Sequence, residues 1–336
     1  MSMLQPGPGN SITDIVGLKV GNAEDALVRT GVTVILPDRP VVAAVDVRGG
    51  GTGTRELEVL RPAASVNEIH AIVLSGGSAF GLDAAGGVMA VLAAQGKGFV
   101  MGDHAIPIVP AAILFDLWNG GKKSWGMTPP YRDLGIAAVK NATEDFALGN
   151  AGAGYGAKAG PLKGGLGTAS VKDPLTGCMV GAIAAVNSFG SVTLPESSCF
   201  WAWPFEMNKE FGNFPPPQKP AADLDYDFRI DAKAPTHTTL AVVATDAVLS
   251  KAHMERIAVM AQDGLARAIR PVHSTLDGDV VFALTTGTRS VDKPLETVAR
   301  LGSLAADCLA RAIARGVYEA KDMGEIRSHR TVFGKA

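Results

Sequence analysis

From Thr238 onward the chain reads strand, helix, strand, helix, and this alternation limits what it can fold into. Thr238-Thr239-Leu240-Ala241-Val242-Val243-Ala244-Thr245-Asp246 is an apolar strand that opens on a hydroxyl residue. Ser250 to Ile269 carries apolar residues at Met254, Ile257, Ala261, Leu265 and Ile269, a helical stripe stopped by Pro271. Val280-Val281-Phe282-Ala283-Leu284 is a second apolar strand, and Leu295 to Val317 repeats the helical stripe through Val298, Leu301, Ala305, Cys308, Ala312 and Ile313. Strands alternating with helices give sheets covered by helices, so the fold class is α/β.

The preceding half agrees. Val32 to Leu36 and Val41 to Val47 are β-rich runs parted by the turn Pro37-Asp38-Arg39-Pro40, and the glycine loop Arg48-Gly49-Gly50-Gly51-Thr52-Gly53-Thr54 follows. His70 to Leu74 reads as a buried strand feeding Ser75-Gly76-Gly77-Ser78 and a small-residue helix, Ala79 to Ala94. That turn is compatible with an anion cradle, with a plain turn allowing close helix packing, or with N–H groups facing a substrate carbonyl. No GxGxxG or GK[ST] supports the first. Residues 117–131 read as an exposed loop with Trp118 and Trp125, Leu134 to Thr143 as a short helix, and Val180 to Val186 as a buried strand ending at Asn187. Between Ser197 and His237 aromatic residues alternate with prolines, three of them consecutive at Pro215-Pro216-Pro217. Such a run forbids a helix interior or central strand, so residues 198–237 read as a linker, either disordered or functional.

The chain has 336 residues, room for two domains or one large layered one. A net charge of −2 without a cationic face argues against a nucleic-acid partner. No apolar run approaches the length of a membrane span, and no export signal is visible, so the cytoplasm is the expected location. Cys178, Cys199 and Cys308 form no metal-spaced pair, and neither metal nor cofactor is expected.

A threonine opening a rigid strand after a flexible segment has a chemical use. Its hydroxyl is a weak nucleophile, and its own α-amine, titrating near neutrality, is the economical base. That amine exists only if the chain is cut before Thr238, which the hydroxyl itself can do by attacking the carbonyl of His237. The ordinary alternative is β-propensity. Leu276-Asp277-Gly278-Asp279 enters the next strand, and alternation puts both carboxylates on one side, where they could orient the amine and hydroxyl. A surface turn is the simpler reading of that tetrapeptide. Asn187 at a strand end could donate its amide to an oxyanion or simply end the strand.

Several stretches together resemble a known family: Thr30 to Val34, Val45-Asp46-Val47-Arg48-Gly49-Gly50, Leu74 to Ala84, Gly152-Ala153-Gly154, Lys163-Gly164-Gly165-Leu166-Gly167, Ala185-Val186-Asn187 and Leu276 to Asp279. In this order they resemble the self-processing N-terminal-nucleophile hydrolases. That family includes D-/L-aminopeptidases, β-peptidyl aminopeptidases and nylon-oligomer (6-aminohexanoate-oligomer) endo-hydrolases, and the likeness leans to the last branch. The resemblance implies a four-layer α/β/β/α sandwich over residues 1–336, cut into 1–237 and 238–336, assembled as a homotetramer and acting on a small amide or short peptide. It implies Thr238 as nucleophile, with Thr239 the rival, Asn187 as oxyanion donor and Asp277 with Asp279 as the acidic pair. It also implies an active-site lysine, Lys158 in preference to Lys163, and a substrate region including Ser75, Gly76, Gly77, Phe115, Tyr155 and Lys163. Phe115 stands where that branch has a tyrosine, and His237 precedes the cut where Asn or Gly is familiar. Two other readings remain: an acyltransferase using the same acyl-threonine, and a non-catalytic anion-binding protein using Gly76-Gly77 and the Gly152 to Gly156 run as nests.

Overall fold

A computed structural model of the protein describes residues 4–218 and 237–334. The first part contributes strands β1 (Leu18–Asp25), β2 (Thr30–Pro37), β3 (Val41–Val47), β4 (Gly53–Arg55), β5 (Glu68–Ile69), β6 (Ile72–Ser75), β7 (Phe99–Met101), β8 (His104–Ile106) and β9 (Ala111–Ile113). Helices α1 (Ala84–Ala94) and α2 (Tyr131–Lys140) belong to the same part. A short hairpin follows, β10 (Lys158–Ala159) and β11 (Leu162–Lys163), then the long strands β12 (Gly165–Lys172), β13 (Met179–Asn187), β14 (Thr238–Ala247) and β15 (Val280–Arg289). Helices α3 (Lys251–Ala268), α4 (Pro294–Glu319) and α5 (His329–Phe333) complete the chain.

The strands form a five-stranded sheet, β1-β2-β6-β9-β4, and a six-stranded sheet, β12-β13-β14-β15-β3-β5. Side chains alternate between the two faces of each strand, and three cores result. Leu240, Val242 and Ala244 of β14 point into a core between the sheets, with Val20, Ile35, Leu74 and Phe282. Ala241 and Val243 point the other way, onto Leu265 of α3 and Leu301 and Leu309 of α4. The opposite face of the first sheet, through Val32, Val34 and Val73, packs on Val88 of α1 and Ala138 of α2. The order is helices, sheet, sheet, helices, the α/β/β/α sandwich that the resemblance implied. Among the described residues no helix is long and apolar enough to cross a membrane.

The strands and helices expected after Thr238 lie where the apolar periods put them. Three elements differ. The helix expected from Ala79 begins only at Ala84, after a 3-10 helix over Ser78–Asp83. Helix α2 starts at Tyr131, three residues before the expected Leu134, because the fully buried Tyr131 anchors its first turn. Residues 198–218 are no loose linker. Phe200 and Phe211 are buried in the helix-facing core, and Glu210 meets the buried guanidinium of Arg311 on α4 at 2.5 Å. The remainder of that stretch, 219–236, lies outside the described residues.

Helix α4 crosses β12 on glycine. A Cβ on Gly167 would lie 2.1 Å from the Ala312 carbonyl oxygen and 2.3 Å from the Gly316 nitrogen, both backbone atoms that cannot turn aside. Gly167→Ala should therefore cost about 3 kcal/mol of stability. Denaturant titration checks this: the midpoint falls while the slope is unchanged.

Candidate active site

The strand pairing decides which residues meet at one end of β14. β13 runs antiparallel to β14, so the end of one faces the start of the other, and Asn187 pairs with Thr238. β15 runs parallel to β14, so the turn entering it, Asp277-Gly278-Asp279, arrives at the same edge. Alternation then turns Thr238 to the same side as Leu240 and Val242, into the space between the sheets, and Thr239 toward the helices. The structure thus brings Thr238, Asn187, Asp277 and Asp279 together, all buried.

At the centre is the peptide bond between His237 and Thr238. The Thr238 hydroxyl donates to the His237 carbonyl oxygen at 2.5 Å, and the Gly278 N–H donates to the same oxygen at 2.8 Å. The carbonyl is thus polarised by two donors, one of them its potential attacker. Only glycine fits at 278, where a Cβ would be 2.6 Å from the Thr238 hydroxyl and 2.7 Å from the Gly51 carbonyl oxygen.

Each aspartate is held from two sides. Asp279 accepts from the Thr239 N–H through Oδ1 at 2.7 Å, and through Oδ2 from the backbone N–H of His273 at 3.2 Å and its Nδ1 at 2.8 Å. Asp277 accepts from the Phe189 N–H through Oδ1 at 3.1 Å, and through Oδ2 from the Ser274 N–H at 3.0 Å and its hydroxyl at 2.6 Å. Burial and the neighbouring Asp279 charge push the Asp277 carboxyl above its usual range. The glycine loop after β3 is the buttress behind them. Arg48 and Gly49 donate to the Asp279 carbonyl at 3.1 and 3.3 Å and Gly51 to the Asp277 carbonyl at 2.8 Å. A Cβ on Gly49 would lie 2.2 Å from the Asp279 nitrogen.

Asn187 accepts from the Lys158 N–H through Oδ1 at 2.9 Å and donates through Nδ2 to the Phe115 carbonyl at 3.1 Å. Phe115 stacks edge-on against the exposed Trp118, ring centroids 4.8 Å apart. Burial and the Lys158 charge lower the His237 imidazole to about 4, so it is neutral at ordinary pH. The two candidate lysines part here. They face each other across the β10–β11 hairpin, but Lys158 is exposed beside His237 and Asn187, while Lys163 is fully buried and donates to the carbonyls of Gly154 and Gly164 at 3.0 and 2.8 Å. Its ammonium ties two glycine loops together.

The substrate region that the resemblance assigned to Ser75, Gly76 and Gly77 is spent within the fold. Gly76 donates to the Gly31 carbonyl and Ser78 to that of Leu114, both at 2.9 Å. Gly77 donates to the buried carboxylate of Asp116 at 2.8 Å, and the Ser75 hydroxyl donates to the Gly76 carbonyl. The second glycine run is filled likewise, for the Gly152 N–H donates to the Glu24 carboxylate and that of Ala153 to the Thr33 hydroxyl. Neither run is an open nest, which removes the basis of the anion-binding reading. Tyr155 is half-buried at the end of the Gly152–Gly154 turn. Asp116, His273 and Ser274 were not singled out from sequence; no motif marks them, and only the fold brings them in. Cys308 is buried beneath β13 and pushed up to about 12 by that burial, an inert thiol. Among the described residues no cluster of metal-ligating side chains is present.

Solved structures share this arrangement of layers. The L-aminopeptidase D-Ala-esterase/amidase of Ochrobactrum anthropi, described as a variant of the Ntn hydrolase fold, superposes with a TM-score of 0.68 at 21% identity, over 99% of this chain and 94% of its own. A β-aminopeptidase of Burkholderia gives 0.69 at 23% identity, over 98% and 92%. The fold is that of the N-terminal-nucleophile hydrolases. Residues 10–331 match peptidase family S58, and the chain belongs to that family. An uncharacterized aminopeptidase of Mycobacterium tuberculosis is 43% identical over 96% of this chain and 98% of its own length. A 6-aminohexanoate-oligomer endohydrolase of Kocuria is 26% identical over 90% and 86%. The protein is accordingly a hydrolase of amide bonds, of the peptidase and aminopeptidase kind.

Burial lowers the Lys163 ammonium to about 7 from an ordinary 10.5. Between those values the unfolded chain binds the proton and the folded chain does not, so stability from this group rises with pH across the window and is absent below it. Lys163→Met removes the dependence. The thermal midpoint of the wild type relative to the variant should rise as pH goes from about 7 toward 10, and a flat difference would contradict the assignment.

Proposed function

We propose that this chain cuts itself between His237 and Thr238 and then hydrolyses linear amides and short peptides through an acyl-threonine. One observation carries the reading: the Thr238 hydroxyl rests against the carbonyl of its own preceding peptide, whose oxygen also receives the Gly278 N–H. In the first step Oγ1 attacks the His237 carbonyl carbon, the C–N bond breaks, and the hydroxyl proton passes to the departing nitrogen, leaving an ester. Water then cleaves the ester, releasing a carboxylate on His237 and restoring the Thr238 hydroxyl beside its already freed α-amine. In the cut enzyme that amine takes the hydroxyl proton, the hydroxyl attacks a substrate amide, and water frees the acyl group. In this reading Asn187 and the Gly278 N–H steady the oxyanion. Asp279 fixes the backbone N–H just after the nucleophile and Asp277 that of Phe189, two residues beyond Asn187, and Lys158 adds positive charge beside the site.

Thr238 is favoured over Thr239 by direction. The Thr239 hydroxyl is buried without a hydrogen-bond partner among the described residues, on the helix side of the sheet. The names of the relatives support amide substrates, with 6-aminohexanoate oligomers among those to assay.

Intact mass and N-terminal sequencing test the reading. The expected product is two chains, 1–237 and 238–336, with Thr238→Ala whole and inactive. A wild-type chain that stays whole on prolonged incubation, or a second chain beginning at Thr239, overturns it. Asn187→Ala should still fold, with kcat on a linear amide lowered about 100-fold.

A further inference from the structure

We propose that His273 is a positioning residue of this reaction, acting with Ser274 as a two-residue clamp that aims both aspartates. The inference rests on Thr238 being the nucleophile and adds a component that the site otherwise lacks. His273 and Ser274 are consecutive, and each spends its backbone N–H and its side-chain donor on one outer carboxylate oxygen, His273 on Asp279 and Ser274 on Asp277. With the outer oxygens held, the inner ones are aimed. Asp279 Oδ1 takes the N–H of Thr239, next to the nucleophile, and Asp277 Oδ1 takes the N–H of Phe189, two residues beyond Asn187. The clamp therefore fixes the nucleophile through one carboxylate and the oxyanion side through the other.

Two further features mark His273 as more than a passing contact. Its backbone sits in the left-handed region at φ 55°, uncommon for residues other than glycine but one that His enters more readily than most. That backbone turn is what lets the N–H and Nδ1 of one residue converge on one oxygen. The contact also fixes the tautomer: Asp279 Oδ2 is an acceptor, so Nδ1 carries the proton. Unlike a histidine that attacks or shuttles protons, this one acts only through Asp279.

The test reads self-cleavage, which needs no substrate, by intact mass at timed intervals during cell-free translation. His273→Gly keeps the backbone N–H, accepts φ 55° without strain and removes the side-chain donor. It should slow cleavage about 10- to 100-fold, the range a lost charge-assisted hydrogen bond gives when it supports a transition state. Added imidazole should restore much of the rate. His273→Asn should stay within about threefold of wild type, because Asn tolerates the left-handed region and can present an N–H where Nδ1 was. Should His273→Gly not fold, His273→Asp takes its place, keeping the size but turning an acceptor on Asp279; it should lose cleavage that His273→Asn retains. A wild-type chain that never cuts defeats the nucleophile assignment and the clamp with it. A wild-type chain that cuts, beside glycine or aspartate variants that cut as fast, or an asparagine variant that fails as badly as they do, defeats the clamp alone.

Discussion

The mixed pairing around β14 is the constraint on which everything else depends. An antiparallel neighbour on one side and a parallel neighbour on the other bring the end of β13 and the entry to β15 to the same edge of the sheet, at the first residue of β14. A sheet of one sense would set the start of β13, not its end, beside the start of β14. The backbone ladder, not any side-chain contact, places an amide, a hydroxyl and two carboxylates from three separate parts of the sequence in one small volume. The side chains then only refine the geometry, through Asn187 on Phe115 and Lys158 and through the donors that hold Asp277 and Asp279.

The same molecule treats its buried charges in two ways. Arg311 is nearly sealed, yet its guanidinium meets Glu210 through both carboxylate oxygens, the Ser170 carbonyl and the Asn10 side chain. Four of its N–H groups are used in this way, and the cluster ties the N-terminal segment and residues 198–218 to α4; removing one partner of such a buried pair typically costs about 3–5 kcal/mol. Asp277 is different. It accepts three hydrogen bonds, but burial and a second carboxylate close by still disfavour its charge. A purely structural site would have no reason to place two carboxylates so near each other, and this tension is the kind found where chemistry is done.

Much of the architecture was legible because it is written in local periods. β14, β15, α3 and α4 follow from apolar spacing, and the strand edge at Thr238 follows from the proline-rich stretch that stops before it. What could not be read are partnerships across distance. Phe200, Phe211 and Glu210 looked like part of a linker because their partners on α4 lie about a hundred residues away. His273 and Ser274 belong to no spacing pattern, and their role becomes visible only once the turn folds back on Asp279 and Asp277. The glycines of 48–51 read as a loop, but the reason for them is the backbone of 277–279 lying against theirs. At Ser75-Gly76-Gly77 the sequence left a plain turn, an anion cradle and a substrate contact open, and the fold fills the turn with Asp116 and neighbouring carbonyls. Resemblance left two lysines in competition; Lys158 is exposed, whereas Lys163 is buried with its side chain on the carbonyls of Gly154 and Gly164.

The order of strands in the larger sheet carries one more consequence. β14 and β15 sit side by side, flanked by β13 on one edge and β3 on the other, so the two strands after residue 237 are inserted between strands that come before it. Scission at that point would leave the two fragments interleaved like fingers of clasped hands. Neither fragment could then trade places with its counterpart from another molecule unless both lost their cores.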